Sequence, residues 1–294
     1  MAIYRCEVKT ISRSKGRSAT AAIAYRAGES IRDDRTGQIF NYTKKRGVEH
    51  RELIFPSDVK VKTRQELWNQ AEQAETRKNS TVAREYELAL PAELSPEIRK
   101  NLALVFAKII TNRYGVAADV AIHQPHPKGD QRNHHAHILT TTRQFNNDGL
   151  GAKTRILDDL KTGPQEVESL RHIWAVLIND ELEKAGISER VDHRSLAEQG
   201  IDRTPTLHLG PAATYLERRG IETDVGNHNR KIQNLNSTLK TPDEDLTARA
   251  RTWAQKKINE AIADRRREFE ILVRQEQESN IQKLQTIQEG LHYV

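Results

Sequence analysis

The chain has 294 residues, of which 36% are hydrophobic and 30% charged, and its formal net charge at pH 7 is +6. A single cysteine excludes an intrachain disulfide, and no apolar run reaches the roughly 18 residues of a membrane span. The N-terminus lacks the apolar core of a signal peptide, so we expect a cytoplasmic protein without membrane insertion. Residues 241–294 hold 9 Lys/Arg and 10 Asp/Glu, which places the excess positive charge earlier in the chain. That charge is compatible with nucleic acid as a partner.

The first elements are a strand, a basic loop and a short helix. Residues 2–9 alternate as a strand does, and a polar loop rich in cations follows. Ser18 predicts the N-cap of an alanine-rich helix, which Gly28 ends. A hairpin turn is predicted at 34–37, and residues 50–56 form another short strand.

The middle of the chain has the strongest patterns. Residues 61–78 and 95–115 have helical periodicity, and the second helix begins at a Ser-Pro pair and ends at a glycine. Residues 81–91 alternate cleanly, and two further strands are predicted at 116–123 and 134–143. The short loop between these last two favours a hairpin.

The last third is predicted to be mainly helical. Residues 165–186 form a helix, a loop of turn residues runs to about 212, and 241–290 indicate one or two charged helices. Short strands mixed with helices, without regular βαβ alternation, indicate an α+β fold. We expect an antiparallel sheet with helices packed on one side.

Three histidines lie on two neighbouring predicted strands. Residues two apart on a strand point the same way, so His135 and His137 share one face, and His134 faces away. The hairpin brings His123 beside them. Three histidine nitrogens with open positions are typical of a catalytic rather than a structural metal site. The alternative is a solvated sheet face on which these histidines bind nothing.

A metal with open positions needs a reaction, and Tyr25 on the alanine-rich helix offers one. Arg26 is next to it, and the preceding loop contains Arg13, Lys15 and Arg17. Positive charge attracts phosphate and favours phenolate, so a tyrosine attacking a metal-polarised phosphodiester is a coherent mechanism. Zinc suits any three-histidine site, whereas Mg²⁺ or Mn²⁺ is favoured if phosphate oxygens fill the open positions. The alternative is a half-buried tyrosine at a helix–sheet boundary.

Four segments, in this order, carry a resemblance to a known family. They are MAIYRCEVKTISRSKGRSATAAIAYRAG at the start, RKNSTVAREYELALP (77–91), AIH (121–123) with NHHAH (133–137), and VDHRSLAEQGIDRTPTLHLG (191–210). The chain resembles the MobA/MobL relaxases, plasmid mobilisation nucleases that include the TraA proteins and the staphylococcal nicking enzyme of conjugation. One departure is His134, where the family usually has proline.

The resemblance implies the HUH endonuclease fold, a five-stranded antiparallel sheet with helices behind it and the metal and tyrosine on its exposed face. The relaxase domain would cover residues 1–220, and 221–294 would be a charged, mainly helical extension. The implied nucleophile is Tyr25. The implied ligands of a divalent ion, Mn²⁺ or Mg²⁺, are His123, His135 and His137.

The implied reaction is strand-specific nicking and rejoining at a plasmid origin of transfer, through a 5′-phosphotyrosine. Glu85 is the candidate for positioning a histidine or assisting proton removal, and Glu87 is the lesser candidate. The substrate would be single-stranded or hairpin DNA, and accessory relaxosome proteins and a type IV coupling protein are further expected partners. The expected DNA contacts are Arg13, Lys15, Arg17 and Arg26. The fourth segment contains three further candidates, which would either contact DNA or stabilise the loop that carries them: His208, Asp192 and Arg194.

Two other functions compete with this one. A rolling-circle replication initiator would share the fold, but segments 77–91 and 191–210 favour mobilisation. A non-cutting DNA-binding regulator would keep the fold without the chemistry, and the presence of Tyr25 and the paired histidines argues against it. The C-terminal helices either contact partner proteins or are only solvated. We find no Walker-type nucleotide motif and expect no ATP motor.

Overall fold

The computed structural model describes residues 3–56 and 63–238. Within these ranges the chain forms eight strands and six α-helices. The strands are β1 (Cys6–Ser12), β2 (Ser30–Arg32), β3 (Ile39–Asn41), β4 (Val48–Ile54), β5 (Thr81–Leu90), β6 (Val116–His123), β7 (His134–Asn146) and β8 (Gly149–Lys153). The helices are α1 (Ala19–Ala27), α2 (Arg64–Gln73), α3 (Pro96–Tyr114), α4 (Thr162–Lys184), α5 (Gly210–Glu217) and α6 (Asp224–Thr238).

Five strands form one antiparallel sheet in the order β1-β5-β7-β6-β4, and β8 extends the far end of β7. The short loop between β6 and β7 makes them a hairpin, as expected. β5 lies on the other side of β7, with Glu87 opposite His137 in the register. The predicted five-stranded antiparallel sheet of an α+β fold is confirmed.

The larger core fills one face of the sheet, under α3 and α4. Alternation in β5 and β6 points apolar side chains to this face, and the helices cover them with an aromatic row. The Phe106 ring lies 6.5 Å from the ring of Tyr86 and 5.1 Å from that of Trp174, centroid to centroid. Aromatic side chains bury a large area each, so this row dominates the packing of helices behind the sheet.

The opposite face is only partly open, because α1, α2 and the β2–β3 hairpin cover one end of it. Ile23 of α1, Trp68 of α2 and Leu139 of β7 pack in this second core. Asp119 is fully buried there and accepts hydrogen bonds from Trp68 Nε1 at 2.9 Å and from Arg64 Nε at 2.8 Å. The sequence predicted helices on one side of the sheet, and α3 and α4 lie there. The second layer on the opposite face, made by α1, α2 and the β2–β3 hairpin, was not predicted.

Several element boundaries differ from those predicted. β1 begins at Cys6 and continues into the predicted loop, because it pairs with β5 as far as Ser12. α2 ends at Gln73, because the carbonyls of residues 75 and 77 beyond it accept hydrogen bonds from the Arg13 guanidinium instead of continuing the helix. The sequence did not predict β8 or α5, whereas α6 lies in the region 221–294 that was expected to be mainly helical. The predicted helices at 241–290 lie outside the described residues.

The chain divides into two compact units, Met1–Ser195 and Leu196–Val294. In the second unit, the side-chain amide of Asn229 on α6 both accepts from Leu207 N and donates to Leu207 O, each at 2.7 Å. The domain boundary expected at residue 220 stays a prediction. Across the described part of the chain, no helix combines the length and apolar character needed to cross a membrane.

Candidate active site

Three histidines converge at one end of the sheet. His123 and His135 face each other across β6 and β7, and His137 follows on the same face, as the alternation predicted. The ring centroids lie 5.0 to 5.3 Å apart. One nitrogen from each ring falls within 4.8 Å of the others, which is the arrangement of a candidate metal centre.

Each histidine has one ring nitrogen within hydrogen-bonding distance of a protein oxygen. His123 Nε2 lies 2.7 Å from the carbonyl oxygen of Arg26, and His135 Nδ1 lies 2.9 Å from that of Asn133. His137 Nδ1 lies 2.7 Å from Glu85 Oε1. An imidazole that donates its one N–H to such an oxygen leaves the lone pair of its other nitrogen free. The three free lone pairs are the potential ligands.

Glu85 is buried, with 1% of its surface exposed, and is the centre of this network. Besides His137, it binds the Arg26 guanidinium through two hydrogen bonds, Nε to Oε1 at 2.5 Å and Nη2 to Oε2 at 2.7 Å. Burial alone would raise the pKa of Glu85, but the bonds from His137 and Arg26 outweigh it and lower the pKa to about 2. The carboxylate is therefore ionised and fixes the orientation of His137.

Burial keeps two of the histidines in the form that binds metals. It lowers the pKa of His123 to about 3, and it also lowers the pKa of His135. Only a neutral imidazole offers a lone pair to a metal ion. The site thus meets the chemical requirement for a metal centre near neutral pH.

Tyr25 lies on α1, half exposed, one residue before Arg26. Ser18 caps the start of this helix by accepting from Ala21 N at 3.1 Å, and Gly28 ends it with a φ of 64°. Because the carbonyl and side chain of Arg26 bind His123 and Glu85, the end of α1 is fastened directly to the histidine cluster. The helix thus brings Tyr25 to this end of the sheet.

The four cations expected to contact DNA fall into two kinds. Lys15 and Arg17 are exposed on the loop before α1. Arg13 is mostly buried and binds Glu72, with Nη2 2.7 Å from Oε2. The guanidinium of Arg26 is held by Glu85. The prediction of direct phosphate contacts therefore rests on Lys15 and Arg17.

The remaining candidates lie away from the histidine cluster or serve local structure. Glu87 pairs with Lys9 and Arg5, each at 2.8 Å. Asp192 and Arg194 pair with each other, 2.7 Å apart. Their segment is fastened to α4, because the Asn179 side chain makes two hydrogen bonds to the backbone of residue 191. In the second unit, His208 is exposed.

Sequence reasoning missed two neighbours of Tyr25. The Tyr42 ring stands edge-on to it, with centroids 5.3 Å apart, and Lys45 Nζ lies 3.8 Å from the Tyr25 ring centroid. Both come from residues 42–47, the turn between β3 and β4. This stretch has only the composition of a polar turn, so no pattern in it indicated contact with α1.

Comparisons with known proteins agree with this geometry. The model of the MobA/MobL family matches residues 17–219. The mobilization protein MobL of Acidithiobacillus ferridurans is 39% identical, over 92% of this chain and 78% of that protein. The conjugal transfer protein TraA of Agrobacterium fabrum is 30% identical over 82% of this chain, which spans 25% of that much longer protein. A chain solved for the molecular basis of vancomycin resistance transfer in Staphylococcus aureus is 32% identical, with a TM-score of 0.58 over 66% of this chain and 100% of that one.

The sheet, the histidine cluster and these similarities define the class: a relaxase of plasmid mobilisation. Within that class, the chain belongs to the MobA/MobL family, whose model covers most of its length.

Proposed function

We propose that this protein nicks and rejoins one DNA strand at a plasmid origin of transfer, with Tyr25 as the nucleophile. The observation that carries the proposal is the convergence of His123, His135 and His137 beside the helix that bears Tyr25. The similarity to mobilisation and conjugal transfer proteins indicates plasmid DNA as the substrate. Because that DNA lies in the bacterial cytoplasm, we place the reaction there.

The donor set fits a divalent cation. Each of the three imidazoles offers a nitrogen within 4.8 Å of the other two, and a buried carboxylate orients one of the rings, as in many metal centres. We propose Mn²⁺ or Mg²⁺, because ions of this kind bind phosphate oxygens at the positions that the histidines leave open. When bound, the ion would polarise the scissile phosphate. Glu85 would orient the His137 ring through their hydrogen bond, and Arg26 would keep the Glu85 carboxylate in place.

The bond changes balance without a further reactant. Tyr25 Oη forms a bond to phosphorus, the bond from phosphorus to the 3′ oxygen breaks, and the phenol proton passes in the net balance to that oxygen. The products are a free 3′-hydroxyl and a 5′-phosphotyrosine. Because the new ester conserves the energy of the broken one, attack by a 3′-hydroxyl rejoins the strand. Water as nucleophile would lose that energy.

We propose that Lys15 and Arg17 bind backbone phosphates near the scissile bond. Both are exposed, and both precede the helix that carries Tyr25. Contacts with phosphates orient DNA without reading its sequence. Accessory relaxosome proteins and a coupling protein are proposed as partners on the similarity to conjugal transfer proteins alone.

A covalent trap tests the proposed function. The protein is mixed with a library of labelled single-stranded and hairpin DNA and Mn²⁺, denatured in detergent, and the attached DNA is sequenced. We expect an adduct of one sequence, lost in Tyr25→Phe and on chelation, and retained in Tyr215→Phe. Tyr215 is a matched control because it is also exposed but lies in the second unit.

The other outcomes separate the competing functions. Tight DNA binding without an adduct, with metal binding shown independently, would favour the non-cutting regulator and overturn the nuclease. An adduct at a replication origin instead of an origin of transfer would favour the rolling-circle initiator. An adduct that persists in Tyr25→Phe would exclude Tyr25 as the nucleophile.

A further inference from the structure

The turn at residues 42–47 holds the ring of Tyr25 between two side chains. Lys45 Nζ lies over the Tyr25 ring, 3.8 Å from its centroid. The same ammonium donates a hydrogen bond of 2.9 Å to the backbone carbonyl oxygen of Tyr25. The Tyr42 ring meets the Tyr25 ring edge-on, at an interplanar angle of 88°. Lys45 thus contacts both the backbone and the aromatic ring of the nucleophile.

Backbone hydrogen bonds fix this turn at three points. Tyr42 N donates to the carbonyl of Glu29 just after α1, at 3.0 Å, and Lys45 N donates to the carbonyl of Tyr42 at 2.8 Å. At the other end, Gln124 N donates to the carbonyl of Gly47 at 2.9 Å, one residue beyond His123. The turn is therefore anchored both to the end of α1 and to the strand end that carries a candidate metal ligand.

The partly buried ammonium of Lys45 has different partners from the Arg13 and Arg26 guanidinium groups. Arg13 and Arg26 are each paired with a buried carboxylate, whereas no carboxylate among the described residues forms an ion pair with Lys45. Its charge is balanced only by the face of an aromatic ring and a carbonyl. A half-desolvated cation with such partners acts strongly on any negative charge that develops beside it.

We propose that Lys45 is a positioning residue for the nucleophile, which orients Tyr25 and stabilises the negative charge that forms on its phenol during attack. This inference rests on the proposed function. As the phenol loses its proton, electron density in the ring rises, so a cation over the ring face interacts more strongly with the phenolate than with the phenol. An interaction that strengthens toward the transition state accelerates the chemical step.

The experiment compares Lys45→Met, Lys45→Arg and Lys44→Met in the full chain. Methionine keeps an unbranched chain without charge, arginine keeps the charge, and Lys44 is an exposed neighbour in the same turn. The readout is the single-turnover rate of covalent adduct formation at pH 7 with the trapped DNA sequence and saturating Mn²⁺. DNA binding, Mn²⁺ binding and thermal unfolding of each variant are measured beside it.

We expect Lys45→Met to slow adduct formation roughly 2- to 30-fold at pH 7, the range of a cation–π contact, with DNA and metal affinity unchanged. Lys45→Arg should restore most of the rate, because arginine keeps a cation at this position. Lys44→Met should match the wild type.

Three results would overturn the inference. They are an unchanged rate in Lys45→Met, an equal loss in the methionine and arginine variants, and a loss explained entirely by weaker DNA binding or by unfolding. In each case the wild-type protein would still form the adduct, so the proposed function would remain supported. If no DNA forms an adduct with the wild type, the proposed function itself fails, and the inference falls with it.

Discussion

Glu85 shows how one buried side chain determines the state of several others. A carboxylate with almost no exposure would be costly if it were alone, but it is satisfied by an imidazole on one side and a guanidinium on the other. The same hydrogen bond that pays for its burial fixes the tautomer of His137. Removing only the charge of Glu85 should therefore affect a metal centre that the carboxylate does not itself bind.

We predict that Glu85→Gln weakens Mn²⁺ binding about 10- to 100-fold, because the amide is a weaker acceptor for His137 Nδ1–H and leaves Arg26 unpaired. Calorimetric titration measures the affinity. Glu87→Gln is the matched control, since Glu87 is on the same strand but pairs with Lys9 and Arg5. Equal affinities in the two variants would show that Glu85 does not support the metal centre.

The residues of the site were predictable to different degrees. Alternation along a strand was enough to place His135 and His137 on one face, and the hairpin brought His123 to them. Glu85 was chosen as a carboxylate on the polar face of its own predicted strand, and its bond to His137 agrees with that choice. Lys45 could not be found in this way. Its contact with Tyr25 depends on how a turn folds over a helix 20 residues away, which no local pattern records.

At the scale of elements, the approach of the turn to α1 depends on one glycine. Gly28 ends α1 in the left-handed region, with φ 64°, and a Cβ there would lie 3.3 Å from Val48 Cγ2. Gly37 in the β2–β3 hairpin has a similar φ of 72° but no atom within 4 Å of the same position. A substitution at Gly37 would therefore test backbone strain alone, whereas one at Gly28 would test backbone strain together with close packing.

We predict that Gly37→Ala costs about 1 kcal/mol of unfolding free energy, from the left-handed backbone alone. Gly28→Ala should cost about 1 kcal/mol more, because its methyl group must displace the start of β4. Urea unfolding of both variants measures the difference. If both substitutions cost the same, the packing of α1 against this turn would not be tight.

Elements were predictable where the signal is local. The cap at Ser18 and the stop at Gly28 placed α1, and the alternation of residues 81–91 placed β5. The predicted end of α2 was wrong, because Arg13, more than 50 residues earlier in the chain, binds the carbonyls of Glu75 and Arg77 that follow the helix. β8 was missed because it is short and contains glycine, and because it forms as a strand by pairing with the end of β7.

At the scale of the whole molecule, some cations pair with buried carboxylates and others are exposed to solvent. Composition alone cannot distinguish these uses, so Arg13 and Arg17 looked alike in the sequence although one is mostly buried and the other exposed. Net charge therefore indicates the kind of partner without identifying the cations that meet it.

We predict opposite effects for methionine at these two positions. Arg13→Met should cost about 3 kcal/mol of unfolding free energy, because it leaves the buried carboxylate of Glu72 without its main partner. Arg17→Met should change stability by less than about 0.5 kcal/mol but weaken DNA binding and reduce the slope of log affinity against log salt by about 1. Urea unfolding and fluorescence anisotropy at several salt concentrations measure the two effects. A stable Arg13→Met protein with weakened DNA binding would contradict this division.

The attachment of α1 to the histidine cluster has a consequence for how the protein can be observed. Arg26 contacts the cluster twice, through its carbonyl to His123 and through its side chain to Glu85, and Tyr25 precedes it directly in the chain. A shift of the helix would therefore alter the surroundings of an ion held, as we propose, by the three histidines. The spectrum of a paramagnetic ion bound there would report the position of Tyr25 before any bond in DNA is broken.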